Sequence, residues 1–234
     1  MESPSIDAQT IIGGDGAAKN TFRFCDFAVH ATASGFLILK NNLVQDCRQG
    51  FILEGPSIFK VEENEFSNTN GTTIDYTVYP SQTYPNPIMN TGIGLIQTYD
   101  EASNDITCNL FNTLGDANTK KLIHDGVYVA GNNKGTSLLK NKFNTCWFDI
   151  RLLEVPYKLG LVFPGELPEQ GKNGAPAYNR FSDFVTSTGP ISKHQADIHT
   201  PAPTLGLTTS FKYWHPTAVC TTSRNIPRMP IIGE

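Results

Sequence analysis

The sequence has little charge and no long apolar run. Charged residues make up 17% of the 234 residues, and the net charge is −4. A nucleic-acid-binding surface needs a basic stripe, so we expect no nucleic-acid partner. A transmembrane helix needs about 18 or more consecutive apolar residues, and the sequence contains no such run. Apolar residues do not recur at the helical period of 3.6, so little helix is predicted.

Cysteine is scarce, and its spacing matches no common metal motif. The five cysteines are an odd number, and none lies in a CxxC pair or beside histidines at zinc-binding spacing. The sequence therefore predicts no disulfide framework, no metal site and no cofactor. Cys25 and Cys146 lie five residues after an asparagine, and Cys47 lies six residues after Asn41. We interpret these three as reduced, inward-facing, small apolar groups.

The sequence does contain a recurring pair, an asparagine followed two positions later by a large apolar residue. The pairs are Asn20 with Phe22, Asn41 with Leu43, Asn64 with Phe66, Asn109 with Phe111, Asn141 with Phe143, and Asn179 with Phe181. The first three asparagines are 21 and 23 residues apart, and the next gap of 45 is close to two such periods. A fixed period of this length indicates stacked structural repeats.

Short alternating apolar runs accompany each period, for example Phe36–Leu39 and Phe51–Leu53. Such a run predicts a strand with one buried face, and one strand cannot bury that face alone. Copies stacked about 4.8 Å apart would share a core. Asparagine suits a corner of each coil because it tolerates left-handed backbone angles, and its amide can hydrogen-bond along the stack.

These asparagine corners and glycine-led strands resemble the right-handed parallel β-helix of the pectin-lyase-like superfamily. The resemblance covers roughly Ile11 to Leu153. It implies an all-β solenoid of about six to eight coils with projecting loops, forming a single domain over residues 1–234. We expect regular coils over about 11–153, an inserted loop at 67–91, and an irregular C-terminal coil and cap at 156–234.

The resemblance implies a secreted or cell-surface module of carbohydrate-binding, adhesion or structural type, because this fold hosts many unrelated activities. Tyr76, Tyr79 and Tyr84 lie in the predicted loop and are the candidate ligand-binding residues. Aromatic faces stack on sugar rings, and neighbouring amides and hydroxyls bond sugar hydroxyls. A polysaccharide or glycan is the expected partner. A spacer with no ligand is a further alternative.

The alternative is a polysaccharide lyase or glycoside hydrolase that acts on an acidic polysaccharide. The candidate catalytic residues are Asp125, Asp149, Arg151 and Glu154. Paired carboxylates serve acid–base hydrolysis, and a lyase would add Ca²⁺ held by acidic oxygens. Asp149 and Arg151 are two apart on a predicted strand and are expected to share a face. The motif sets of polygalacturonases and pectate lyases are not found in order, so a non-catalytic module is favoured.

The two ends of the chain also carry an expectation. The first ten residues, MESPSIDAQT, lack the basic and apolar regions of a signal peptide. Neither end resembles a natural terminus, which predicts a piece of a longer parent chain with neighbouring domains. The fold class predicts an extracellular or cell-surface location.

Overall fold

The computed structural model describes residues 9–16, 19–32, 35–55, 58–68, 89–98, 103–112, 123–144, 146–153, 155–156, 162–163, 165–172, 175–181, 196–199 and 213. Over these ranges the regular secondary structure is entirely β-strand. No helix in this part of the chain is long and apolar enough to cross a membrane.

The strands follow one another in sets of three, and each set forms one coil. The first coil holds β1 (Gln9–Gly13), β2 (Asn20–Arg23) and β3 (Phe27–Thr32), and the second holds β4 (Phe36–Lys40), β5 (Asn42–Gln45) and β6 (Gln49–Glu54). The third holds β7 (Ile58–Glu62), β8 (Glu65–Ser67) and β9 (Met89–Ile96), and the fourth holds β10 (Asn104–Thr107), β11 (Leu110–Phe111) and β12 (Ile123–Ala130). The fifth holds β13 (Thr136–Leu139), β14 (Lys142–Phe143) and β15 (Cys146–Leu153).

Shorter elements follow the fifth coil. They are β16 (Val155–Pro156), β17 (Val162–Phe163), β18 (Gly171–Lys172), β19 (Ala175–Pro176) and β20 (Ala196–His199). Single bridges from Asn132 to Glu166 and from Lys142 to Arg180 continue the stack beyond the complete coils. β20 pairs in parallel with β15, so pieces of a sixth coil are in place.

Every strand of a coil pairs in parallel with the equivalent strand of the next coil. Three sheets result: β1-β4-β7-β10-β13, β2-β5-β8-β11-β14, and β3-β6-β9-β12-β15-β20. We call them the first, second and third sheets. The predicted parallel β-helix is confirmed. The predicted loop at 67–91 falls mainly outside the described residues, and β9 begins within that range.

Alternation along each strand builds the core. In the first sheet Leu39, Val61, Ile106 and Leu138 occupy equivalent positions in successive coils, and each is 0% exposed. Their neighbours along the strands point to the other face, as the two-residue period of a strand requires. Burial of a side chain of this size stabilises the fold by roughly 1.5–3 kcal/mol.

Phenylalanine rings form a column under the second sheet. The ring centroids of Phe66 and Phe111 are 5.0 Å apart, and those of Phe111 and Phe143 are 4.7 Å apart, with nearly parallel planes. Phe181 continues the column at 6.0 Å from Phe143. Aromatic pairs at these separations add about 0.5–1.5 kcal/mol each beyond their buried area.

Glycines of the third sheet make room for this column. A Cβ atom at Gly92 would lie 2.7 Å from the Phe111 ring, and one at Gly126 would lie 2.7 Å from the Phe143 ring. Gly50 has the same relation to Phe66. In the second, third and fourth coils the glycine is therefore required by the phenylalanine ring of the next coil.

A ladder of buried asparagines follows the corner between the first and second sheets. Its members are Asn42, Asn64, Asn109, Asn141 and Asn179. The Oδ1 atom of Asn109 accepts from both the backbone N–H and the Nδ2 of Asn64, each at 3.0 Å. The Nδ2 of Asn109 donates in turn to the carbonyl of Val61 at 2.8 Å. Each amide thus satisfies backbone groups of the preceding coil.

The ladder corrects the predicted register by one residue. The sequence pattern selected Asn41, but Asn42 is the ladder member, and the apolar residue two positions later is the fully buried Val44. Asn41 takes the left-handed conformation with φ 54°, and so do the residues that precede the other ladder members: Glu63, Cys108, Lys140 and Tyr178. Several residue types therefore serve at the left-handed position. The ladder position that follows it is asparagine because the side-chain amide makes the hydrogen bonds between coils.

The two ends of the ladder differ. At the first coil Asn20 pairs in register with Asn42, but the buried Oδ1 of Asn42 accepts no hydrogen bond. At the other end the Tyr213 hydroxyl accepts a hydrogen bond from the Asn179 N–H at 3.1 Å. The Tyr213 ring also packs edge-on against Phe181 with centroids 5.4 Å apart. Tyr213 therefore caps both the ladder and the ring column.

Candidate functional site

Two of the predicted catalytic residues meet on the third sheet. Asp125 lies on β12 and Arg151 on the neighbouring β15. Arg151 Nη2 donates to Asp125 Oδ2 at 2.7 Å. The side chains are almost completely enclosed, since Asp125 is 2% and Arg151 is 5% exposed. The Asp125 carboxylate and the Arg151 guanidinium therefore form a buried ion pair.

Aromatic groups and a histidine surround the ion pair. His124 Nδ1 lies 3.1 Å from Asp125 Oδ1. The Arg151 guanidinium lies 5.4 Å from the Phe148 ring centroid and 5.9 Å from that of Tyr128. Rings at this distance attract a cation through their quadrupoles. A carboxylate that is enclosed and bonded to arginine is poorly placed to exchange a proton with a polysaccharide, so this geometry favours a structural role for the pair.

The remaining predicted residues are not part of this contact or are not described. Asp149 lies on β15, and its side chain is fully buried. Glu154, Tyr76, Tyr79 and Tyr84 lie outside the described residues and stay predictions. A catalytic role for Asp149 and Glu154 stays a prediction, whereas the Asp125 carboxylate is bound by Arg151.

A second cluster lies at the corner between the second and third sheets. Cys25 connects β2 to β3, and Cys47 occupies the equivalent place between β5 and β6. The backbones are bonded there, since the Arg48 N–H donates to the Cys25 carbonyl at 2.9 Å. Each thiol lies within hydrogen-bond distance of the carbonyl two residues before it, at 3.4 Å for Cys25 and 3.5 Å for Cys47, and the Cys47 thiol is equally close to the Phe22 carbonyl. The two thiols therefore have the same orientation in consecutive coils.

Burial differs between the two cysteines. Cys47 is 1% exposed, and Cys25 is half-buried. Burial raises the pKa of the Cys47 thiol to about 11, and the interacting thiol of Cys25 contributes to the effect. Cys47 is consequently a neutral thiol at pH 7, and a metal that binds its sulfur must displace a proton.

This cysteine pair is the only candidate soft-metal site that we identify in the described residues. Over those ranges no group of three or more His, Cys, Asp or Glu side chains could hold a metal ion. A pair of thiols suits a soft ion such as Cu(I), because thiolate ligands select Cu(I) over hard cations. The donor set therefore fits monovalent copper better than calcium.

Sequence reasoning grouped Cys25 and Cys47 with Cys146 as inward-facing apolar thiols and did not single the two out as a pair of ligands. Counted from the register partners Asn20 and Asn42, both cysteines lie five residues further along the chain. The equal offset places both in one column of consecutive coils. That signal is present in the sequence once the register is correct.

The fold and the ladder together define a class, the right-handed parallel β-helix proteins. The family described as "Periplasmic copper-binding protein (NosD)" matches residues 14–144, which is 131 of the 234 residues. The chain belongs to this family. No curated protein and no solved structure matches the chain.

The family match settles three expectations. The predicted right-handed β-helix of the pectin-lyase-like superfamily is confirmed, and the chain is a secreted β-helix module. The predicted location outside the cytoplasm is confirmed by the periplasmic description of the family. The expectation of no cofactor, or of Ca²⁺ in a lyase, is wrong, because the family description points to copper.

Proposed function

We propose that this chain is a copper-binding β-helix module that works outside the cytoplasm and holds Cu(I) through Cys25 and Cys47. The observation that carries the proposal is the pair of equally oriented thiols in consecutive coils. Both cysteines lie within the segment that matches the copper-binding family.

The residues of the corner account for the chemistry of binding. Copper supplies a soft Lewis-acidic centre that replaces the thiol protons. Cys25 gives access from solvent because it is half-buried, and Cys47 is enclosed at 1% exposure. Because the pKa of Cys47 is raised to about 11, Cu(I) competes with a tightly held proton there. The apparent affinity for Cu(I) is therefore expected to rise with pH. For each proton that binding releases, the rise is about tenfold per pH unit.

Anaerobic titration of the reduced protein with Cu(I), against a chromophoric competing ligand, tests the proposal. We expect one Cu(I) per chain and a sulfur-dominated X-ray absorption spectrum. Cys25→Ser and Cys47→Ser should each lower the affinity by at least about 100-fold, because each removes one of two thiolate ligands.

Cys146→Ser is the matched control. Cys146 is also buried, but it lies in the fifth coil, far along the stack from the pair. Its replacement should leave the Cu(I) affinity unchanged. Retention of stoichiometric, tight binding by both Cys25→Ser and Cys47→Ser would contradict the proposal.

We propose carbohydrate binding or adhesion as a second candidate function. Two aromatic side chains are exposed: Phe24 to 58% and Tyr178 to 50%. Exposed aromatic rings are platforms for sugar rings. A glycan array should show binding that Tyr178→Ala or Phe24→Ala weakens, and binding to no glycan would reject this candidate. An absorbance assay for unsaturated products from polyuronates tests the lyase alternative.

A further inference from the structure

We infer that Cys25 and Cys47 also form a disulfide with each other, so that the same corner has an oxidised state that is closed to copper. The disulfide itself is argued from the register of the coils. The exclusion of copper rests in addition on the proposed function.

The backbone geometry brings the two cysteines within bonding range. The coils are hydrogen-bonded on both sides of the corner, since the Phe24 N–H donates to the Gln45 carbonyl at 3.4 Å and the Arg48 N–H donates to the Cys25 carbonyl at 2.9 Å. Neighbouring parallel strands lie about 4.8 Å apart. Disulfides join Cα atoms that are about 4.4–6.8 Å apart, so no large backbone movement is needed.

Side-chain direction and compartment agree with this geometry. The two thiols share one orientation because each lies within hydrogen-bond distance of the carbonyl two residues before it. Both are free thiols in the described structure. Disulfides form and persist in oxidising compartments outside the cytoplasm, where this family is placed. A close cysteine pair in that environment is a candidate for oxidation.

The reaction is a thiol–disulfide exchange with a disulfide-bearing partner, either a small disulfide or an exchange protein outside the cytoplasm. The Cys25 thiolate attacks the partner disulfide, forms a mixed disulfide and releases the first partner thiol. The Cys47 thiolate then attacks the Cys25 sulfur and releases the second. In total two protein thiols become one disulfide, and one partner disulfide becomes two thiols.

The order of attack follows from exposure. Cys25 is half-buried and reachable, whereas Cys47 is 1% exposed and reacts only across the corner. A disulfide offers no thiolate to a metal, so the oxidised corner cannot hold Cu(I) in this way.

The experiment treats the full chain with oxidised glutathione and then maps its disulfides by alkylation and peptide mass spectrometry. We expect a crosslink between the peptides of Cys25 and Cys47 and the loss of two alkylatable thiols. Cu(I) stoichiometry should fall from one per chain to near zero and return after reduction. Cys146→Ser should behave like the parent chain. Cys25→Ala and Cys47→Ala should form no crosslink at this corner, with circular dichroism showing that they are folded.

The outcomes separate this inference from the proposed function. If the reduced chain binds Cu(I) but no Cys25–Cys47 crosslink forms, or either residue pairs elsewhere, the inference is overturned and the proposed function stands. If the crosslink forms but the reduced chain binds no Cu(I), the proposed function and the exclusion of copper both fail, and the disulfide stands. If the oxidised chain still binds Cu(I) at full stoichiometry, the exclusion of copper is overturned.

Discussion

At the scale of single residues, the buried Asp125–Arg151 pair offers the clearest energetic test. Replacement of one partner leaves the other as an unpaired charge in a buried site, which lowers the stability of the fold by about 3–5 kcal/mol. We expect Arg151→Met to lower the free energy of unfolding by about that amount, measured by chemical denaturation. The double variant Asp125→Leu/Arg151→Met should recover much of the loss, because no charge remains unpaired.

The exposed Lys134–Glu166 pair is the control for the buried one. Its atoms are 3.1 Å apart, but the side chains are 49% and 32% exposed. Lys134→Met should change the unfolding free energy by less than about 1 kcal/mol. A similar small effect from Arg151→Met would show that the buried pair is not structural and would return Asp125 to consideration as a catalytic acid.

The Cys47 thiol predicts how stability depends on pH. Its pKa is raised in the folded state from 9.0 to about 11, so the folded protein binds this proton more tightly than the unfolded chain does. The resulting stability is fully present below pH 9 and is lost as the pH rises through about 11. Thermal unfolding of the reduced protein between pH 8 and 11 measures it. Cys47→Ala should remove this part of the slope, whereas Cys108→Ala, at an exposed position, should not.

At the scale of elements, the asparagine ladder is the feature that links one coil to the next. Asn109→Ala removes the acceptor for the Asn64 backbone N–H and for the Asn64 Nδ2, and the donor to the Val61 carbonyl. A buried polar group left unpaired costs about 1–3 kcal/mol, so the total should exceed that of one ordinary hydrogen bond. Denaturation of Asn144→Ala gives the comparison, because the partly buried Asn144 donates only a longer bond of 3.4 Å to Asn112. Equal losses in the two variants would refute the special role of the ladder.

The repeat period and the fold could be predicted from the sequence, but the exact register could not. Asn41 and Asn42 are adjacent, and the spacing alone does not distinguish the left-handed residue from the hydrogen-bonded one. The apolar runs Phe36–Leu39 and Phe51–Leu53 were assigned to successive periods, yet β4 and β6, which contain them, belong to different sheets of one coil. Periodicity reports the length of a repeat, and only contacts show which residue faces which.

The candidate site was predictable only in part for the same reason. Asp125 and Arg151 were selected as charged residues on strands, but their contact depends on how β12 aligns with β15 across coils of unequal length. Cys25 and Cys47 were interpreted as core groups because a reduced cysteine behaves as a small apolar residue. Copper could not be inferred from two cysteines 22 residues apart, since that spacing matches no short metal motif.

At the scale of the whole molecule, the C-terminal end of the stack depends on Tyr213. Tyr213→Phe keeps the ring on Phe181 but removes the hydroxyl that accepts from the Asn179 N–H. We expect a loss of about 1 kcal/mol for this variant and a larger loss for Tyr213→Ala, which also uncovers the ring column. Melting temperatures of the two variants provide the measurement. No difference between them would mean that the ring does not cover the core.

At the opposite end the contact between the first and second coils is weaker, because the ladder stops at Asn42 and the Oδ1 of Asn42 accepts no hydrogen bond from the first coil. Cys25 lies in the first coil and Cys47 in the second. A copper ion bound by both sulfurs, or a disulfide between them, would therefore link the first coil to the rest of the solenoid. Amide hydrogen exchange over residues 9–32 should slow when the pair is metallated or oxidised, while exchange in the fourth and fifth coils stays the same. Binding of Cu(I), or formation of the disulfide, would then be detectable as a change in the local stability of the first coil.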